Sequence, residues 1–239
     1  MQRKFAPLLL ALLAPLSAEA YRPFDNTDAD TAHAGEVELE VGPAGITRTS
    51  GQTTYSPVFV GNYGFEPGYE LVFEIQDQLV LGPRDGAPRH SIGALELSVK
   101  HVLREGELQE QEGPSVAIEL GVYFPGVHRE PGYGGIASLI VSKRFGLATV
   151  HFNGNIALER DGHFLLSPAI VAEGPDSWPV RPVTELIYSH EFAGPNEASV
   201  LAGLIWKVSE SLSIDLGARA GRAAQAPLYE ARGGFSIGF

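Results

Sequence analysis

The sequence predicts an all-β fold: an antiparallel transmembrane β-barrel of about 12 strands, or 10 on a stricter count, preceded by a cleaved signal peptide. Three observations point there. Runs of about ten residues alternate apolar and polar along the chain, the chain stops inside such a run on an aromatic side chain, and its first residues have the form of a secretory signal. Alternation with period 2 marks a strand with two unlike faces. A tilted strand needs about 9–11 residues to cross a bilayer.

Residues 1–20 place Arg3 and Lys4 ahead of an apolar stretch from Phe5 to Leu16, and then Ala18-Glu19-Ala20. That order of charge, apolar run and small residues predicts secretion and cleavage after Ala20. The run is shorter than the ~20 residues of a spanning helix. Residues 21–34 form a polar leader containing Asp25, Asn26, Thr27, Asp28 and Asp30. Such an oxygen-rich cluster attracts Ca²⁺, but it lacks the Gly and the distal Glu of an EF-hand loop. A solvated leader tucked toward the lumen, with its acids capping turns, is the expectation.

Residues 35–239 are then the barrel. Weaker runs near 35–42, 54–63 and 68–80 open it, and others lie near 134–145, 164–172 and 181–192. Clear alternation sets Leu95, Leu97 and Val99 against Glu96, Ser98 and Lys100. It sets Val116, Ile118 and Leu120 against Ala117 and Glu119, and Val150, Phe152 and Ile156 against His151, Asn153 and Glu159. Val200, Leu204 and Trp206 share a face, as do Leu212, Ile214 and Leu216, the latter opposite Asp215 and Arg219. Turn residues separate the runs: Pro83-Arg84-Asp85-Gly86, Gln111-Glu112-Gly113-Pro114, Glu130-Pro131-Gly132, Asp161-Gly162 and Gly194-Pro195-Asn196. The last run puts Phe235, Ile237 and Phe239 on one face and Glu230 and Arg232 on the other. An alternating strand that ends on Phe has the form of the signal read by the barrel insertion machinery.

Ionisable groups therefore fall in mid-strand on the polar faces: Glu70, Glu74, Glu96, Lys100, Glu119, Glu159, Asp215 and Arg219, together with His151 and Asn153. In a soluble β-sandwich these would face solvent over a dry core. In a barrel they line the interior, where pairs such as Asp215–Arg219 and Glu230–Arg232 could bridge. Aromatics near strand ends, among them Tyr63, Phe65, Tyr69, Tyr123, Phe192 and Trp206, suit the girdles of a membrane barrel.

Composition excludes other classes. A formal net charge of −12 gives no basic face for nucleic acid. Zero Cys removes disulfide scaffolds and thiolate metal sites. Seven His residues raise an enzyme hypothesis, with His151 and His190 in mid-strand. No Gly-x-Ser-x-Gly or His-Glu-x-x-His accompanies them, and Ser189 and His190, being adjacent in a strand, face opposite sides. No catalytic, cofactor or metal residue is expected. Gly132-Tyr133-Gly134-Gly135 and Gly233-Gly234 precede no helix, so they relieve crowding rather than cradle phosphate.

Tyr21-Arg22-Pro23-Phe24, then Thr27-Asp28, then Gly35-Glu36-Val37-Glu38-Leu39-Glu40 resembles the opening of the outer-membrane family named for the meta-pathway of phenol degradation. The closing Phe resembles that family's end as well. The resemblance spans residues 21–239 and implies an outer-membrane barrel, a channel or transporter for small solutes that are often aromatic or hydrophobic. Its expected partners are outer-membrane lipid, the insertion machinery and a small solute. A non-conducting structural or adhesion barrel, or an envelope hydrolase, is the alternative.

Overall fold

The computed structural model describes residues 22–82, 89–128, 131–192 and 194–239. The expected signal segment with Ala18 and Ala20, the expected turn at Pro83-Arg84-Asp85-Gly86, and Glu130 lie outside these residues.

Among the described residues thirteen strand segments follow one another: β1 (Val37–Thr49), β2 (Gln52–Tyr55), β3 (Val58–Glu66), β4 (Tyr69–Leu81), β5 (His90–Arg104), β6 (Ser115–Tyr123), β7 (Gly134–Phe145), β8 (Ala148–Leu158), β9 (Phe164–Glu173), β10 (Val180–Glu191), β11 (Asn196–Lys207), β12 (Leu212–Ala223) and β13 (Ala226–Gly238). All pairings are antiparallel between neighbours. Segments β2 and β3 both lie between β1 and β4, so together they fill one position in the wall. The first and last strands pair over their length, Leu39 with Ile237 and Val41 with Phe235, and this shuts the sheet into a barrel of twelve positions. At the seam Val37 N–H donates to Phe239 O at 3.2 Å and Phe239 N–H donates to Val37 O at 2.9 Å. We call the end holding this seam contact the near rim and the opposite end the far rim.

The strands match the predicted runs, with differences at a few ends that have local causes. Strand β1 runs on to Thr49 because a bulge between Val41 and Ala44 absorbs Pro43 and restores pairing to β13. The second position breaks at Ser56-Pro57, where Pro57 offers no N–H to a ladder. The β12–β13 link is a two-residue turn with Ala224 at φ 49° and Gln225 at φ 68°, the left-handed pair a tight hairpin requires. Neither residue type signals a turn, so the sequence leaves this hairpin unmarked.

Alternation sorts the side chains by face. Phe152 (43% exposed), Leu204 (49%), Trp206 (51%) and Leu216 (65%) point outward, and apolar side chains like them occupy every position round the wall. Lys100, His151, Asn153, Glu185 and Asp215 point inward and are buried. This inverts a soluble protein, in which charge faces out. An apolar surface that encircles the molecule far exceeds the isolated patches water tolerates. Exposed aromatics gather toward the two rims, with Phe65, Phe145, Trp178 and Phe239 near one and Tyr133, Phe164, Phe192 and Tyr229 near the other. Tyr123 instead faces inward, under the guanidinium of Arg160. Among the described residues no helix is long and apolar enough to span a membrane; helical structure amounts to one 3-10 turn, Glu107–Gln109.

Candidate functional site

The inner face holds the groups with chemistry, and the leader is laid across it. Residues 22–36 touch inward side chains from β4, β5, β7, β8, β10, β12 and β13. Only a segment inside the ring can reach strands on all its sides.

The path starts at Arg22, which donates to Asp215 Oδ2 at 3.3 Å. A Cβ on Gly42 would press on the Arg22 guanidinium, and one on Gly234 on the same group and on the Val41 carbonyl, so glycine at both leaves space for the arginine along the wall. Gly203 and Gly217 likewise make room for the Pro23 ring, which a Cβ on either would meet at 3.1 Å. Phe24 enters an apolar socket on the wall made of Val171, Val183, Leu201 and Ile205. Asp25 is clamped by Arg219 and Arg232, while Arg232 also donates to Pro23 O at 2.9 Å. Burial would raise the Asp25 carboxyl, but the charges of Arg232 and Arg219 and their hydrogen bonds hold it well below the usual carboxylate range. The Asp25 and Asn26 amides and the Asn26 side chain all donate to Glu185, a carboxylate with no solvent exposure.

Farther along, Asn153 Nδ2 donates to Thr27 O at 2.8 Å, and Asn155 Nδ2 to Asn26 Oδ1 at 2.7 Å. Lys100 Nζ donates to Thr27 Oγ1 at 3.0 Å and lies 3.5 Å from Asp28 Oδ1. Ala29 N–H donates to Ser142 Oγ at 2.9 Å, and Ala32 N–H to Glu70 Oε2 at 2.7 Å. Gln109, on the 3-10 turn, donates to Ala29 O and Asp30 Oδ1. The acids of the leader thus meet cations and amides, as buried charges must to offset their desolvation.

The leader is a septum. A cavity of about 660 Å³ opens at the near rim, bounded by Asp30 to Glu36, Glu70, Leu108 and Phe239. Two cavities lie on the far side: one of about 430 Å³ beside Asn26, Tyr123, Asn155 and Glu191, and one of about 480 Å³ beside Arg22, Glu40, Gln76 and Arg232.

Of the residues singled out from sequence, Glu70, Lys100, Asn153, Asp215, Arg219 and Arg232 bond the leader directly. Asp215 pairs with Arg22 rather than with Arg219, whose partners are Asp25, Glu185 and Glu230. Glu230 and Arg232 do bridge each other, at 2.6 Å. Glu74, Glu96 and Glu119 border a small cavity between the leader and the wall, and Glu119 accepts from Ser98 Oγ. Glu159 lies one residue past β8. Phe235, Ile237 and Phe239 belong to the closing strand and its end.

His151 has partners that sequence reading missed. Ser142 Oγ is 2.8 Å from its Nδ1, and its Nε2 is 3.2 Å from Glu173 Oε1, close but off the line of a hydrogen bond. Arg181 bridges the other Glu173 oxygen at 3.2 Å. The order Ser–His–Glu is that of a hydrolytic triad. Here Ser142 has no solvent exposure and already accepts the Ala29 amide, so the chain anchors the leader. Counting outward from the Gly146-Leu147 turn pairs Ser142 with His151, a signal the sequence did carry. His190 bonds Asn196, not Ser189.

No protein-family model matches the sequence, and no curated protein is similar to it in sequence. Solved structures do share its shape. An outer-membrane channel from Pseudomonas putida F1 superposes with a TM-score of 0.68 at 10% identity, over 90% of this chain and all of that one. The KdgM porin does so with a TM-score of 0.56 at 11% identity, over 85% of this chain and 99% of that one. The CymD monoaromatic hydrocarbon channel reaches 0.50 at 8% identity, over 86% and 88%. The fold is one shared with outer-membrane channels.

Proposed function

We propose that the protein is an outer-membrane channel for small solutes, closed at rest by its own leader. The observation that carries this reading is the septum. Residues 22–36 divide a lumen that is otherwise a run of cavities from rim to rim. The encircling apolar face and the aromatics at both rims support an outer-membrane location. The likeness in shape to channels supports the activity. Acid on the inner wall outweighs base near Glu40, Glu70, Glu74, Glu96 and Glu119, which favours cations over anions once the path opens.

The finer reading is membership of the phenol meta-pathway family, with aromatic or hydrophobic solutes among the cargo. Its support is the Arg22-Pro23-Phe24 opening and the socket of Val171, Val183, Leu201 and Ile205. In that socket Phe24 occupies a place shaped for an aromatic ring, and an incoming ring would compete with it.

Single-channel recording in planar bilayers tests both levels. Deleting residues 22–34 is expected to raise conductance several-fold over rare, small wild-type steps. Absence of steps in either protein would sink the channel reading, and equal conductance in both would sink closure by the leader. Phenol is expected to increase opening of the wild type, with glycerol leaving it unchanged. An equal response to the two would remove the aromatic reading.

A further inference from the structure

We propose a divalent transition-metal site at the far rim, formed by Asp161, His163 and Glu191 and suited to Zn²⁺. Sequence reading expected no metal. The three residues come from two places in the chain, the β8–β9 turn and the last residue of β10. Their ligand atoms all lie within 4.8 Å of one another, the one such trio of His, Asp and Glu among the described residues.

Two of the separations suit coordination. His163 Nδ1 is 3.2 Å from Asp161 Oδ2 and 3.2 Å from Glu191 Oε1. A tetrahedral Zn²⁺ with bonds of about 2.0–2.1 Å holds its ligands about 3.3 Å apart. The donors thus already stand close to the edge length of the polyhedron, with room for an ion between them. One imidazole and two carboxylates leave the fourth position to water. The three side chains are 48%, 45% and 26% exposed, which leaves a way in for the ion.

The scaffold fixes the trio in advance. Gly162 sits at φ 90°, a conformation that favours glycine, and its N–H donates to Glu159 O at 2.9 Å. His163 N–H donates to Asp161 Oδ1 at 3.1 Å, which leaves Oδ2 directed at the imidazole. Glu159 N–H donates to His163 O at 2.8 Å, and Phe192 N–H to Phe164 O at 3.0 Å, holding the end of β10 beside the turn. Other His–acid contacts lack this arrangement. His90 meets Asp77 alone, and the carboxylate beside His151 is shared with Arg181, whose charge repels a cation. Glu191 also borders the far cavity of about 430 Å³, so the ion would sit at its mouth.

The test uses the full chain without a histidine tag, folded in detergent, with Zn²⁺ added in a calorimeter. One equivalent is expected to bind. His163→Ala is expected to weaken binding at least about tenfold, since losing even a group that only supports a ligand costs that much, and His90→Ala to leave it unchanged. Co²⁺ in place of Zn²⁺ should give the intense visible absorption of a tetrahedral site, lost in Glu191→Gln. An unheated band on gels matching the wild type shows that each variant is folded. The proposal is overturned by unchanged affinity in His163→Ala, by no binding to the wild type, or by Mg²⁺ binding as tightly as Zn²⁺. None of these readouts depends on conduction.

Discussion

The two walls of the lumen use charge in opposite ways. On the wall of β10, β12 and β13, Arg219 and Arg232 alternate with Glu185 and Glu230, and Asp25 of the leader completes the set. There each arginine is shared among two or three acids, so every charge has an opposite neighbour. On the wall of β1, β4, β5 and β6, Glu40, Glu70, Glu74, Glu96 and Glu119 surround a single strand cation, Lys100. Glu74 and Glu96 stand directly opposite each other across β4 and β5. The contrast separates two tasks. The arginine wall grips the leader, and the acid wall sets the field a passing ion would feel.

The largest effect should come from breaking the grip. Arg219→Ala with Arg232→Ala leaves Glu185 buried and unpaired, at a cost of about 3–5 kcal/mol in urea unfolding from lipid vesicles. Conductance should approach that of the leader deletion; a double variant that stays closed would show that the grip lies elsewhere. Lys100→Met comes next. It frees only the Thr27–Asp28 stretch, so openings should rise less, while reversal potentials in a salt gradient shift further toward cation selectivity. A shift toward anions would contradict the acid-wall account.

Softening the acid wall is milder. Glu74→Gln with Glu96→Gln removes a like-charge pair across the strands and should add about 0.2–1 kcal/mol of stability. The leader should remain docked and the reversal potential should move toward zero. Loss of closure in this variant would mean that the two walls cannot be treated apart. The smallest effect concerns pH. The Asp25 carboxyl is lowered in the folded state, so its contribution is complete above the usual carboxylate range and disappears only as pH falls through the lowered value. Opening frequency should therefore be the same at pH 7 and pH 5 if Asp25 is the clamp. A several-fold change over that interval would assign the clamp to another group.

The wall was far more legible than the lumen. Alternation at 93–103, 115–124, 148–159 and 211–220 names both faces without any knowledge of neighbours, because a strand's geometry alone sends alternate side chains apart. What the wall meets is not local. Arg22 finds Asp215 across 193 residues and Asn26 finds Glu185 across 159. Composition marks residues 21–34 as polar but cannot say which partner each takes. Asp215 and Arg219 share the inner face of β12 but stand four residues, about 13 Å, apart along the strand, and each takes its partner from the leader, Arg22 for Asp215 and Asp25 for Arg219. Gly42 and Gly217 carry no turn signal, and the path of Arg22 and Pro23 explains the space kept at both; at Gly203 the Leu216 carbonyl of the next strand crowds a Cβ as well. The Ser142–His151 contact, by contrast, needed only the hairpin arithmetic of a recognisable turn.

The seam between β1 and β13 also dictates an order of assembly. It joins residues from opposite ends of the barrel sequence, Glu38 with Gly238 and Thr49 with Leu228. Contacts so distant in sequence carry the largest ordering entropy and form late. The ring therefore cannot shut until β13 has been made, and the leader, continuous with β1, must be inside or free to enter when it does. A slip of one residue at this last step would turn Phe235 and Ile237 inward and Ser236 outward. Correct closure is thus proofread by the same alternation that built the wall.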